Sequence, residues 1–195
     1  MAHRTAYVFV FDGFADWEAA SAMVELRRTF EFSVKTFALT SNPVMSMGGL
    51  RVMPDLHLDE IEPELADMGA LILPGGDAWM KAEIREITEL IMAVHQMACP
   101  IAAICGATLS LAHAGLLNDH RHTSNGNGFI AKYVPTYTGQ NLYAKAPAVK
   151  DRNVITADGL APFAFAAEIF RAVAPHRADD IAMYEKLYSP RQLED

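Results

Sequence analysis

Unbroken apolar runs, rather than alternating ones, mark the strands of this chain. Ala6-Tyr7-Val8-Phe9-Val10-Phe11 is the first, and a run apolar at every position is what a strand buried on both faces requires. Asp12-Gly13 ends it. Residues 16–28 then predict a helix, with Asp16 as its N-cap and Trp17, Ala20, Met23 and Val24 on its buried face. A second strand is expected over residues 32–39, and Gly48-Gly49 predicts a tight turn between two short extended pieces, 44–47 and 50–53. Further on, Ala70-Leu71-Ile72-Leu73 stops at Pro74-Gly75-Gly76, and Ile101-Ala102-Ala103-Ile104 stops at Cys105. Helical patterns cover residues 84–97, 108–114, 161–173 and 178–187, and Val154-Ile155-Thr156 is a late strand. Strands alternating with helices imply one α/β domain over residues 1–195, with a mainly parallel sheet covered by helices on both faces. Active sites in such sheets form at the carboxyl ends of the strands.

Composition removes several function classes. Sixteen Lys and Arg against 24 Asp and Glu leave a net charge of −8, whereas a nucleic-acid binder needs a basic patch or stripe. No nucleic-acid partner is expected. The most charge-dense segment, Asp59-Glu60-Ile61-Glu62-Pro63-Glu64, is acidic and reads as a solvated helix start. No apolar run reaches the roughly 18 to 20 residues of a membrane span, and the first residues hold no signal-peptide core. A cytoplasmic protein without membrane contact is therefore expected. Cys99 and Cys105 are the two cysteines, too few for a disulfide framework, and reduced thiols are the simpler reading.

The segment around Cys105 carries the chemistry. A buried strand leads into a cysteine followed by Gly106 and Ala107, which have almost no side chain. A nucleophile elbow needs this order: a strained residue at the tip and small neighbours that let the next helix turn back over the sheet. The start of that helix favours thiolate over thiol, and the Gly106 N–H is placed to donate to an oxyanion. Cys99 has no such setting and reads as a buried packing residue.

Four segments resemble the ThiJ/PfpI family of the class I glutamine amidotransferase-like superfamily. They are Phe11-Asp12-Gly13-Phe14-Ala15-Asp16-Trp17-Glu18, Leu71-Ile72-Leu73-Pro74-Gly75-Gly76, Ala102-Ala103-Ile104-Cys105-Gly106, and the stretch from Val149 to Gly159. The resemblance implies a flavodoxin-like sandwich, Cys105 as the reactive cysteine, and Glu18 as the acid hydrogen-bonded to it. It also implies an oxyanion hole from the backbone N–H groups of Gly75 or Gly76 and of Gly106, and a homodimer. A thiolate about 4 Å from a carboxylate is repelled by about 4 kcal/mol at an effective dielectric of 20, against roughly 0.3 to 1 kcal/mol from a helix start. One shared proton is thus expected, with neutral Glu18 donating to the Cys105 thiolate.

The chain departs from the family at the third catalytic position. Many relatives place a histidine directly after the cysteine or some twenty residues on; here those positions hold Gly106 and Asn125. Asn125 cannot shuttle a proton, and His120 or His122 is offset on its segment. Asp119, His120 and His122 are spaced too loosely for a metal site, and neither a metal nor another cofactor is expected. Asp16, Trp17, Trp79, His122 and Asn125 are the expected pocket walls. The resemblance implies a small electrophilic substrate (a reactive carbonyl, an amide or an isonitrile) and chemistry of hydrolase or lyase type. The alternative is a redox-stress sensor or chaperone-like protein in which Cys105 is oxidised.

Overall fold

The computed structural model describes residues 4–81, 84 and 86–188. The first apolar run becomes the strand Thr5–Phe9 (β1), and the helix Asp16–Arg28 (α1) follows at once. Ser33–Ala38 (β2), the short pair Val44–Met45 (β3) and Arg51–Val52 (β4), and Leu56–His57 (β5) come next. Met68–Leu73 (β6), the helix Ile87–Gln96 (α2), Ile101–Ile104 (β7) and the helix Thr108–His113 (α3) form the centre of the chain. Phe129–Tyr133 (α4), Ala148–Asp151 (β8), Val154–Ala157 (β9), Pro162–Val173 (α5) and Ala178–Tyr188 (α6) complete it.

Seven strands make one sheet in the order β5-β2-β1-β6-β7-β9-β8. Every pairing is parallel except β8 with β9. The sheet is therefore of the mainly parallel, flavodoxin-like kind. Side chains alternate between two cores, as the pleat dictates. Tyr7, Phe9, Leu71, Leu73, Ile101 and Ala103 join the α2 and α3 side, with Ile87, Ile91 and Leu109. Ala6, Val8, Ala70, Ile72, Ala102 and Ile104 join the α1 and α5 side, with Leu26, Phe165 and Phe170. Both faces are dry, which explains why β6 and β7 are apolar at every position.

Four expectations are corrected here. The face that α1 buries consists of Glu18, Ala19, Ala22, Glu25 and Leu26, while Trp17 and Val24 are exposed. Ala19, Ala22 and Leu26 join the core on the α5 side of the sheet, with Phe165 and Phe170. Asp16 is the first helical residue rather than the cap; the cap is Ala15, and the Asp16 carboxylate accepts a hydrogen bond from the Ser46 hydroxyl at 2.6 Å. The acidic run forms two short 3₁₀ turns, Leu58–Glu60 and Glu62–Asp67, with His57 and Glu60 closing a capping box on the first. The helix expected from residue 84 begins at Ile87; residue 85 lies outside the described residues.

Candidate active site

The ends of four strands, β1, β6, β7 and β9, meet at Cys105. Ile104 is still extended, Cys105 turns to φ 59°, and Cys105–Ala107 forms a 3₁₀ turn that runs into α3. A positive φ on a non-glycine residue is strained and is the geometry of an elbow. Thr108 secures the turn: its hydroxyl donates to the Cys105 carbonyl at 2.7 Å and lies 2.6 Å from the Ser124 hydroxyl.

Glu18 comes from the first turn of α1, behind β1, and is 1% exposed. Its Oε2 accepts from the Gly75 N–H at 2.6 Å, and its carboxyl hydrogen-bonds the Cys105 thiol. Two glycines wall this pair. A Cβ on Gly75 would lie 2.6 Å from Cys105 Cβ and 2.7 Å from Glu18 Oε2; one on Gly159 would lie 2.8 Å from Cys105 Sγ. Only hydrogen fits at either place. Gly159 was not singled out by the sequence, although it ends the resembling stretch; it follows β9, the strand paired beside β7, and its backbone lies against the sulfur.

Asn125 completes the contacts. Its Nδ2 donates to Cys105 Sγ at 3.2 Å, and its Oδ1 accepts from the Gly159 N–H at 3.1 Å. The Gly106 N–H, next in the chain, also favours negative charge on the sulfur.

Burial dominates the electrostatics. It pushes the Glu18 carboxyl up to about 7, against the Gly75 N–H, which pulls it down. It also pushes the Cys105 thiol up to about 11, with repulsion from Glu18 adding to the rise and the Asn125 and Gly106 donors opposing it. Desolvation of a charged form outweighs a short helix start. Burial opposes charge on both groups and each acts on the other, so Glu18 and Cys105 titrate as a unit around one shared proton. Cys99, also buried, is pushed up to about 11, and its thiol donates to the Met68 carbonyl.

The cleft over the sulfur has a volume of about 160 Å³, which corresponds to roughly five waters at about 30 Å³ each. Trp17, Met47, Met80 and Phe129 give it an apolar wall, and Asp77 and Asn125 are among its polar members. Of the expected pocket walls, Trp17 and Asn125 line this cleft. Asp16 does not line the cleft; it holds Ser46 in the turn after β3. Trp79 is buried in the core, donates from Nε1 to the Pro74 carbonyl at 2.8 Å, and packs against Phe9 and Phe11. Gly75 is also removed from the oxyanion set, since its N–H is committed to Glu18; Gly76 and Gly106 remain at the cleft. Met47 and Phe129 were missed because a turn and a five-residue helix bring them in over long range, with no local pattern to announce them.

His122 points away from the sulfur. Its Nδ1 meets the His120 carbonyl at 2.7 Å and its Nε2 meets the Tyr137 hydroxyl at 2.6 Å. His120, equally buried, sets Nδ1 between the Leu116 carbonyl and Asp119, each at 2.7 Å. Its ring lies 5.4 Å from that of His95. No three metal-ligating side chains gather among the described residues. Burial holds His122 and His95 below the ordinary histidine value, and His120 adds to the effect on His95. The folded protein therefore binds fewer protons at these rings than the unfolded chain. Stability is full above about 6.5 and falls as the pH drops through it. In a Glu18→Gln background, which removes a group of opposite pH dependence, the urea midpoint at about pH 5 should lie below that at about pH 7.5. A midpoint that rises on acidification would contradict this.

The DJ-1/PfpI family model matches residues 4–172. The chain belongs to the DJ-1/PfpI family. It is 35% identical over 201 residues to YoaZ of Bacillus subtilis, described as an uncharacterized protease, spanning 100% of this chain and 95% of that protein. Among solved structures, a DJ-1 superfamily protein from Agrobacterium tumefaciens superposes with a TM-score of 0.84 at 32% identity, covering 95% of this chain and 99% of the other. A ThiJ/PfpI family protein from Bacillus anthracis gives 0.86 at 32%, covering 97% and 93%. Membership of the DJ-1/PfpI family agrees with the sheet order and with an elbow at Cys105. No helix among the described residues is long and apolar enough to cross a membrane.

Proposed function

We propose that this DJ-1/PfpI protein is an enzyme of hydrolase or lyase type that uses Cys105 as nucleophile, with Glu18, on a small electrophile. A reactive carbonyl, an amide or an isonitrile fits that description. The observation that carries the reading is the Cys105 sulfur itself: it stands on a strained backbone and is hydrogen-bonded to a buried carboxyl. The cleft above it is small and largely apolar, which suits a compact substrate. Addition moves the thiol proton to Glu18, while Gly76 and Gly106 N–H groups face the developing oxyanion. In this proposal the protein acts in the cytoplasm as a homodimer, and the exposed apolar side chains of Trp17, Met47 and Leu50 support the dimer.

The test is product release from methylglyoxal and from panels of small amides and isonitriles. Cys105→Ser should lower turnover by roughly 10³-fold or more with the fold intact. Turnover that survives in Cys105→Ser would sink the proposal.

Asn125 favours a second reading, a redox sensor. Its amide donates to the sulfur and cannot act as a base, and such donors equally suit an oxidised, anionic sulfur. Intact mass after mild peroxide distinguishes the two. Stable gain of oxygen on Cys105 with no turnover of any panel member would favour the sensor.

A further inference from the structure

Asn125 serves two partners with one amide, and the two together decide which way it faces. The Gly159 N–H can only donate, so it must meet Oδ1, and it does so at 3.1 Å. Nδ2 is then left facing Cys105 Sγ at 3.2 Å. Turning the amide round would set two donors against each other at Gly159 and a lone pair against the sulfur. Gly159 cannot retreat or be padded, since it already lies against Sγ closely enough to exclude a Cβ.

We infer that Asn125 is a catalytic residue of fixed polarity: a one-way donor, oriented by Gly159, that holds negative charge on Cys105 sulfur but takes no proton from it. Glu18 is then the proton carrier of the site. The neighbouring histidines offer no substitute. Both ring nitrogens of His122 are engaged, by the His120 carbonyl and the Tyr137 hydroxyl, and the His120 Nδ1 is engaged by Leu116 and Asp119. This inference rests on the proposed nucleophilic role of Cys105 and adds the route of its proton. In the addition step the Sγ–carbon bond forms and a π bond of the electrophile breaks. The thiol proton passes to the Glu18 carboxylate and from there to the heteroatom that received the electron pair. Asn125 stays a donor throughout.

A one-carrier site has a distinct pH signature. Alkylation of Cys105 by iodoacetamide, read by peptide mass, should show a single inflection between about pH 5 and about pH 9, near the Glu18 value of about 7. Asn125→Leu should keep that inflection and lower the rate about 10-fold across the range, the worth of a hydrogen bond to a charged group in a partly exposed setting. Asn125→Asp, of the same shape but with an acceptor facing the sulfur, should lower it further. Asn125→His should add a second inflection in the same window, since histidine titrates there. Circular dichroism confirms folding of each variant, and the native profile needs no variant at all. Two inflections in the native protein would overturn the inference. Rates for folded Asn125→Leu and Asn125→Asp within about twofold of native would overturn it too, while leaving Cys105 as the nucleophile. Native Cys105 labelled no faster than Cys99 would remove the nucleophile itself, and the donor's role with it.

Discussion

Glu18→Gln is expected to stabilise the folded protein by about 3 kcal/mol at pH 8, while disabling its proton transfer. The carboxyl ionises near 7 in the folded protein against an ordinary value of 4.5, and each pH unit between the two is worth about 1.36 kcal/mol. Its folded value is raised, so the stability it contributes is fully present below about 4.5 and is lost as the pH rises through about 7. Glutamine keeps an oxygen for the Gly75 N–H and never takes the charge. Urea unfolding at about pH 5 should show native and variant nearly level, and at about pH 8 the variant should be clearly ahead. Equal stability at both values would mean that the ionised carboxyl carries no strain. The same substitution should remove the inflection near 7 from Cys105 alkylation and make the thiol easier to ionise, because Glu18 raises it by repulsion. Function here is bought with stability.

Gly75→Ala tests the wall around the pair. The new methyl group would lie 2.6 Å from Cys105 Cβ, 2.7 Å from Glu18 Oε2 and 3.0 Å from Cys105 Sγ. Cβ of Cys105 is fixed by a backbone at φ 59° and cannot yield without moving the elbow. Overpacking of this kind costs typically 1 to 3 kcal/mol; for a domain of this size the Tm should fall by roughly 2 to 12 °C. Alkylation of Cys105 should slow by about 10-fold or more, because Glu18 is pushed off the thiol. Unchanged melting and unchanged labelling together would show that the sulfur and carboxyl are not confined as described.

The sheet was legible because its central strands, β1, β6, β7 and β9, are buried on both faces and so apolar at every position but Thr5 and Thr156. The edges were harder. In β8, Lys150 is exposed between half-buried neighbours, and β5 is two residues long; neither carries a run. The elbow could be read locally, since Cys105, Gly106 and Ala107 are consecutive. Glu18 needed the family resemblance, since a carboxylate early in a helix is ordinary. Gly159 left no local signal, because its role is the absence of a side chain beside an atom 54 residues away in the chain. Thr123, Ser124 and Thr156 look like surface residues yet are buried, and they satisfy one another and nearby backbone: Thr123 N–H donates to Thr156 Oγ1 at 2.8 Å, and Ser124 pairs with Thr108.

The bond between Gly75 and Glu18 spans 57 residues, and the one between Asn125 and Gly159 spans 34. Glu18, Gly75, Asn125 and Gly159 thus reach Cys105 from separate parts of the chain, and the last of them follows β9. A ribosome that has released the chain only as far as α3 has exposed Cys105 with neither Asn125 nor Gly159 beside it. Contacts of such long sequence separation form late in folding. The pH response of Cys105 therefore doubles as a clock for assembly. In pulse-labelling during refolding, the inflection near 7 should emerge only with the closing of the β7–β9 ladder, after helical signal has already been regained.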